Sequence, residues 1–397
     1  MTSYFPPTKI SEHQRLKIEF LLFRVFLCCA LPWNLMDHPF FTELLTTLAP
    51  NFVVPDRSSF FGKYLAQETA VWSQKFADFV KDKTHLTISF DGWSTRAKDE
   101  VYTFHTTTTE RRSYFTDGHV FKGTSVTGKA LFDILNRILL RYGAGNYSAI
   151  AGDGAANVRA ARIELNKLYP WVLNIYDPCH NLNLYMKDVG KLFKDLLSTV
   201  SGVANYFGKS NYGTYHLDEQ RKIDGIPRGI TNPTDTRFSS SYLQVSSVHT
   251  CMNSIQKCVE SGKLKFDTKP TKKLLPYISD GPQFHHFMAN MSAFLKLLES
   301  GANGIETLEG QTTTCADVFY VWVCIAYSLE QVLSNPSLGL TAKRSEVVAI
   351  YNHRFSQMMK ESSHKLFLLS YYLHPRTIPS SRWPPDWPAR SPQRRGS

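Results

Sequence analysis

The sequence has no cysteine framework. Its seven cysteines, at positions 28, 29, 179, 251, 258, 315 and 324, are odd in number and irregularly spaced. That excludes the disulfide scaffold of a small secreted domain and points to reduced thiols in an intracellular compartment. The first 84 residues contain no CxxC or HxxxH pair, so no zinc finger is expected ahead of the core. Long apolar runs are missing as well. The stretch from Leu21 to Trp33 is too short to span a bilayer and carries Arg24; it reads as a buried helix. The opening residues, MTSYFPPTKISEHQRLK, hold no apolar core followed by small residues, so no secretory leader is expected. No internal repeat is visible. Together these absences describe a soluble intracellular protein with no membrane partner.

What the sequence does have is length, apolar content and positive charge. A chain of 397 residues, 43% hydrophobic and 13% aromatic, can bury a sizeable core and is expected to form two or three domains. Its formal net charge of +11 favours a polyanionic partner such as nucleic acid.

Residues 1–84 read as a helical N-terminal region, with apolar residues at helical spacing through Ile18 to Leu31, Phe40 to Leu48 and Val71 to Val80. From residue 85 the pattern turns to short strands. His85–Phe90, Val101–Thr107 and Tyr114–Phe121 are rich in β-branched and aromatic residues and closely linked, which predicts an antiparallel meander. Leu131, Ile134, Leu135, Ile138 and Leu139 form a helical stripe ended by Gly143 and Gly145. Ser148–Gly152 predicts a fourth strand running into a helix from Ala155 to Leu168, and Trp171–Tyr176 a fifth. One long helix is then marked by Leu182, Met186, Val189, Phe193, Leu196, Val200, Val203 and Phe207.

The order β-β-β-α-β-α-β-α predicts an α/β core over residues 85–207. Three antiparallel strands followed by β-α-β units give a mixed sheet covered by helices, in the order of the ribonuclease-H-like fold. Residues 208–236 read as a polar loop and 237–375 as an all-α, insertion-like region. Residues 376–397, rich in Pro and Arg, read as a disordered tail.

Asp91 closes the first strand in SFDGW, and Asp153 closes the fourth in GDGAAN. If those strands are neighbours, the two carboxylates converge on one edge. Hard oxygen ligands there suit Mg²⁺ or Mn²⁺ and phosphoryl-transfer chemistry. Each aspartate equally suits the start of a turn or a helix cap. Arg96, Lys98, Arg111, Arg112, Lys122, Arg159 and Arg162 cluster around this region in sequence, either as a nucleic-acid surface or as a solvated face. Asp177 and Pro178 stand where a helix would be capped. Cys179 and His180, adjacent and without a second pair, make a poor tetrahedron, so no zinc is expected.

Four motifs, SFDGW, GDGAANVRAAR, NIYDPCHNLNLYMKD and DTRFSSSY, fall in an order and at spacings that resemble hAT-type transposases. The likeness is closer still to a family of hAT-related, transposon-derived proteins carrying a domain of unknown function, and it covers about residues 35–375. The resemblance implies a ribonuclease-H-like core in which Asp91 and Asp153 match the first two acids of a DDE triad and hold the metal. Asp177 and His180 match a Cys/Asp-x-x-His element near the active site and DNA end. Arg237 and Phe238 match an Arg-Trp pair whose ring is linked to a flipped base; Phe stacks there less extensively than Trp. DNA as partner and a nuclear location follow from the same resemblance.

The triad's third acid, a Glu on a helix that adjoins a C-terminal dimerisation segment in the family, has no counterpart here. Glu306, Glu309 and Glu330 lie in the insertion-like helices without motif support. The helical region runs to LLSYYLHP, the Pro/Arg tail follows, and no dimerisation segment is recognisable, which leaves self-association open. The expectation is a transposon-derived, nucleic-acid-binding protein that holds Mg²⁺ or Mn²⁺ weakly and has lost transposase activity, because misplacement by about 1 Å costs about 100-fold in rate. The competing readings are an active metal-dependent transposase or nuclease, and a protein-interaction scaffold.

Overall fold

A computed structural model describes residues 10–232, 239–363 and 365–375. They divide into two compact units: the chain up to Thr84 with Ile138–Asn146, and His85–Arg137 with the chain from Tyr147 onward.

The first unit is built on α1 (Glu12–Cys28), α2 (Pro39–Leu48) and α3 (Arg57–Val80). Ser11 and Gln14 start α1 as a reciprocal capping box, with the Gln14 amide donating to Ser11 Oγ at 3.2 Å and the Ser11 amide donating to Gln14 Oε1 at 3.0 Å. Its core is aromatic: Phe23, Phe26, Phe60, Phe61 and Tyr64 pack with Met36, and the Phe26 and Phe61 rings meet edge-on at 5.3 Å. The buried Glu19 carboxylate accepts a 2.6 Å hydrogen bond from Tyr64. The run from Leu21 to Trp33 is only partly a buried helix. Phe23 and Phe26 are buried while Leu21, Val25 and Leu27 stay exposed, because the helical period turns them to the other face. Residues 138–146 join this unit through Tyr142, whose ring lies 5.0 Å from that of Phe76.

The second unit is mixed α/β. Strands β1 (Leu86–Ser94), β2 (Glu100–Thr107), β3 (Ser113–Phe121), β4 (Tyr147–Gly152) and β5 (Leu173–Tyr176) form one sheet in the order β3-β2-β1-β4-β5. The first three strands are an antiparallel meander, while β4 lies parallel to β1 and β5 parallel to β4. Each parallel step needs a crossover. The helices between the strands are α4 (Gly128–Tyr142) and α5 (Ala156–Leu168). On β1, Leu86, Ile88 and Phe90 alternate inward, and Phe90 stacks on Phe104 of β2 at 5.7 Å.

Beyond β5 the chain is helical, with α6 (Pro178–Gly190), α7 (Lys194–Lys209), α8 (Asn211–Ile223), α9 (Ser240–Glu260), α10 (Lys269–Lys272) and α11 (Leu275–Ile278). There follow α12 (Pro282–Leu308), α13 (Cys315–Leu333), α14 (Arg344–Glu361) and α15 (Leu366–Leu373). One core runs from Tyr176 to Phe367, with Trp322 fully buried in it. Among the described residues α13 is the one helix long and apolar enough to cross a membrane by length and composition. Its Val318, Val321, Trp322, Ile325 and Leu329 face the core.

Two expectations are corrected. The long helix through Leu182 and Phe207 is two helices, α6 and α7, separated by a 3-10 turn at Lys191–Phe193. Phe193 leaves helical dihedrals (φ −124°, ψ 34°), yet the apolar stripe stays buried on both sides. The stretch 208–236 is not simply a loop, because it contains α8. Ser210 caps that helix by accepting from the Gly213 amide at 2.9 Å. Asp218–Arg221 and Glu219–Lys222 pairs line it, and Leu217 is its buried anchor. So few apolar positions leave little periodicity to read. The tail from residue 376 lies outside the described residues.

Strand β5 would present an open edge, but the turn between α14 and α15 covers it. The Ser363 amide donates to the Asn174 carbonyl at 2.7 Å. The Asn174 and Tyr176 amides donate to Ser363 Oγ and Ser362 Oγ at 2.6 and 3.1 Å.

Candidate functional site

Strand register places the sequence's aspartates in a row. Ser89 of β1 pairs with Ala151 of β4, which pairs with Ile175 of β5. Two residues further along each strand stand Asp91, Asp153 and Asp177. The Asp177 amide still donates to the Gly152 carbonyl at 3.0 Å, which carries the β4–β5 ladder to that level. Side chains alternate with period two, and neighbouring strands lie about 4.8 Å apart, so register-equivalent positions share a face. Asp91 is within β1 rather than at its end. Its strand runs on against β2, where Asp91 faces Thr103, while the pairing with β4 stops at Ser89. The sheet thus opens beside Asp91.

Each carboxylate is anchored by backbone. Asp91 Oδ1 accepts from the Gly92 amide at 2.9 Å, and Asp153 Oδ1 accepts from the Ala155 amide at 3.0 Å. Asp177 caps α6, accepting from the Cys179 and His180 amides at 2.8 and 3.2 Å. Burial raises the Asp177 carboxyl above the usual carboxylate range; the two amide bonds oppose the rise and nearby Asp91 adds to it.

Two tyrosines flank the row and explain the glycines of its motifs. A Cβ on Gly92 would fall 2.5 Å from the ring of Tyr102, and one on Gly154 would fall 2.7 Å from the Tyr176 hydroxyl. Tyr102 Oη accepts from Asn157 Nδ2 at 3.1 Å. Burial raises its pKa, and the charges of Asp153, Glu100 and Asp91 push it the same way. Tyr176 is pushed up to about 12 by burial, with Glu361 and Asp153 adding to the shift.

Beside the row lies a buried cation. Arg162 has no exposed surface, so it is not part of a solvated face. Its guanidinium donates to the Asp153 carbonyl at 3.1 Å and to Asn174 Oδ1, and lies 5.7 Å from the centre of the Tyr176 ring. Burial lowers its pKa; the charges of Glu361 and Asp153 counter that. Arg159 pairs with Glu361 at 3.6 Å. Arg111 donates to the Gln311 carbonyl at 3.0 Å. Arg96, Lys98, Arg112 and Lys122 are exposed.

The structure therefore brings Asp91, Asp153, Asp177 and His180 to one edge of the sheet. Arg237 and Phe238 lie outside the described residues. Of the acids without motif support, Glu330 pairs with Arg344 at 3.2 Å and Glu306 is exposed. Glu309 is exposed and acts electrostatically on Cys179, whose thiol burial raises to about 12. Glu361 escaped the sequence reading. It ends α14 with no motif around it, and only the fold of β5 onto Ser362 and Ser363 brings it near Tyr176 and Arg162. Among the described residues, no three His, Cys, Asp or Glu side chains stand close enough together to hold a metal ion.

No protein-family model matches the chain, and no curated protein matches it.

Proposed function

We propose that the protein is a transposon-derived, ribonuclease-H-like protein of hAT type that binds DNA and is catalytically incomplete. The observation that carries this reading is the placement of Asp91 and Asp153 at equivalent levels of two adjacent parallel strands in a β3-β2-β1-β4-β5 sheet. That strand order is the ribonuclease-H-like order, and the carboxyl ends of parallel strands are where such sheets place their chemistry. The net charge of +11 suits a polyanion, and a DNA partner implies work in the nucleus.

Asp91 and Asp153 fit a hard divalent cation such as Mg²⁺ or Mn²⁺, since one oxygen of each is committed to a backbone amide and the other is left for a metal. Such a cation, when bound, supplies charge stabilisation at a phosphoryl group. The incompleteness follows from the remaining acids. Asp177 is engaged as a helix cap, Glu361 accepts from Gln357 at 3.1 Å and lies 3.6 Å from Arg159, and Glu330 pairs with Arg344. Two carboxylates without a third hold a cation weakly and orient it poorly.

The test uses the full chain, a labelled duplex and a supercoiled plasmid, in Mg²⁺ and in Mn²⁺. The expected result is DNA binding that weakens steeply with salt, and an intact plasmid. Plasmid nicking that both Asp91→Ala and Asp153→Ala abolish would establish an active nuclease instead. No affinity for the duplex at low salt would remove the nucleic-acid reading altogether.

A further inference from the structure

Several lysines of the second unit stand in ion pairs. Lys167, Lys191, Lys222 and Lys296 each pair with an acid three residues away, at 2.6 to 3.2 Å, and Lys257 pairs with Asp224 at 2.6 Å. Lys263, Lys265, Lys269, Lys272 and Lys273 are all exposed, and among the described residues none forms an ion pair. They crowd into the link between α9 and α11, with Asp267 the one acid among them. Unpaired like charges at this density repel one another, and ordinary surfaces intersperse the signs.

The segment that carries them is tied to the core. Lys263 and Lys265 alternate with Leu264 and Phe266, which are each 2% exposed. The Leu264 amide donates to the Cys258 carbonyl at 3.0 Å, and Phe266 packs on Tyr206 with ring centres 4.4 Å apart. This alternation of burial leaves both lysines exposed on the outer side of the segment. The following turn is fixed by Thr268 and Thr271 hydroxyls 2.8 Å apart and presents Lys269, Lys272 and Lys273. Leu274 and Ile278 then return the chain to the core.

We propose that this lysine-bearing segment, Lys263–Lys273, is a docking surface for the phosphodiester backbone of duplex DNA, separate from the aspartate row. The inference rests on the nucleic-acid reading above and adds to it the place where the backbone is gripped. Ammonium groups are point charges that contact phosphate without reading bases. With Leu264 and Phe266 holding the backbone, the lysines meet a line of phosphates with only their side chains left to order. Binding here is sequence-independent.

The experiment compares the full chain with a variant in which Lys263, Lys265, Lys269, Lys272 and Lys273 are all changed to Gln. A control changes Lys167, Lys222 and Lys296 to Gln. Affinity for a labelled duplex is measured across a salt series, with circular dichroism confirming that each variant is folded. The slope of log K against log salt should become shallower by about 0.9 for each lysine seated on a phosphate, about 4.5 at most. Affinity at about 0.1 M salt should fall more than about tenfold, and the control should bind like the parent. If the parent binds DNA and the five-fold variant binds with the same slope, this surface is not the contact and the nucleic-acid reading stands. If the parent binds no DNA, both fail. If it instead binds vesicles of phosphatidylserine and phosphatidylcholine through these lysines, the surface belongs to a membrane and the proposal is overturned.

Discussion

Acidic side chains meet the sheet of the second unit in two places and are treated oppositely. Along the strand ends, Asp91, Asp153 and Asp177 are anchored only by backbone amides. At the seam between α14 and the sheet, Glu361 faces Arg159 and the buried Arg162, and on α6 Asp188 takes Arg354 and Lys191. Where acids are matched by arginines they hold elements together. Along the row none of the three carboxylates forms an ion pair among the described residues, and the buried Arg162 donates to the Asp153 backbone carbonyl instead.

That contrast can be broken at its strongest point first. Removing the buried Arg162 side chain opens a cavity and strips the Asp153 carbonyl and Asn174 of a donor, so Arg162→Ala should lower stability by about 2–5 kcal/mol. A urea titration measures this, and a loss under about 1 kcal/mol would mean that the seam is not held by Arg162. The next effect falls on the row's packing. With Tyr102 lying over Gly92, Gly92→Ala should cost about 1–3 kcal/mol by overpacking. Combining it with Tyr102→Leu should cost clearly less than the two singly, and strict additivity in the double-mutant cycle would show that the ring is not what excludes a side chain at position 92.

The smallest effect sharpens the comparison. The folded state raises the Asp177 carboxyl, so it holds a proton that the unfolded chain has released, and stability falls as pH rises through the carboxylate range. Asp177→Asn keeps a capping oxygen and removes the titration. It should therefore match the parent at acid pH and become the more stable of the two towards neutrality. Asp177→Ala should lose about 1 kcal/mol of capping. Thermal melts of the three proteins between acid and neutral pH decide this, and an Asn variant less stable at neutral pH would reverse the sign assigned here.

The strands were legible because their alternation is local: all five coincide with their sequence segments to within a few residues. Asp153 stands where an apolar strand gives way to a glycine turn, whereas β1 continues through Gly92 past Asp91. The register that aligns Asp177 with them was not legible, because it depends on a β4–β5 pairing set by tertiary packing. The burial of Arg162 was hidden too. It is an arginine in a polar motif, and only Asn174, Tyr176 and Glu361, distant in sequence, give it a buried place. Helix α8 went unread because a single buried leucine makes no stripe, and the break at Lys191–Phe193 because the stripe continues across it.

The turn at Ser362 and Ser363 has a consequence for how this chain can be divided. It supplies the hydrogen-bond partners of strand β5 from a point 186 to 189 residues further along the sequence. A fragment ending after α7 would keep every strand yet leave β5 with bare amides and Arg162 without Glu361. Such a fragment would offer an open template for strand addition. The smallest autonomous piece containing the sheet therefore extends through α14 and the serine turn, and the chain must be synthesised past Ser363 before its sheet is sealed.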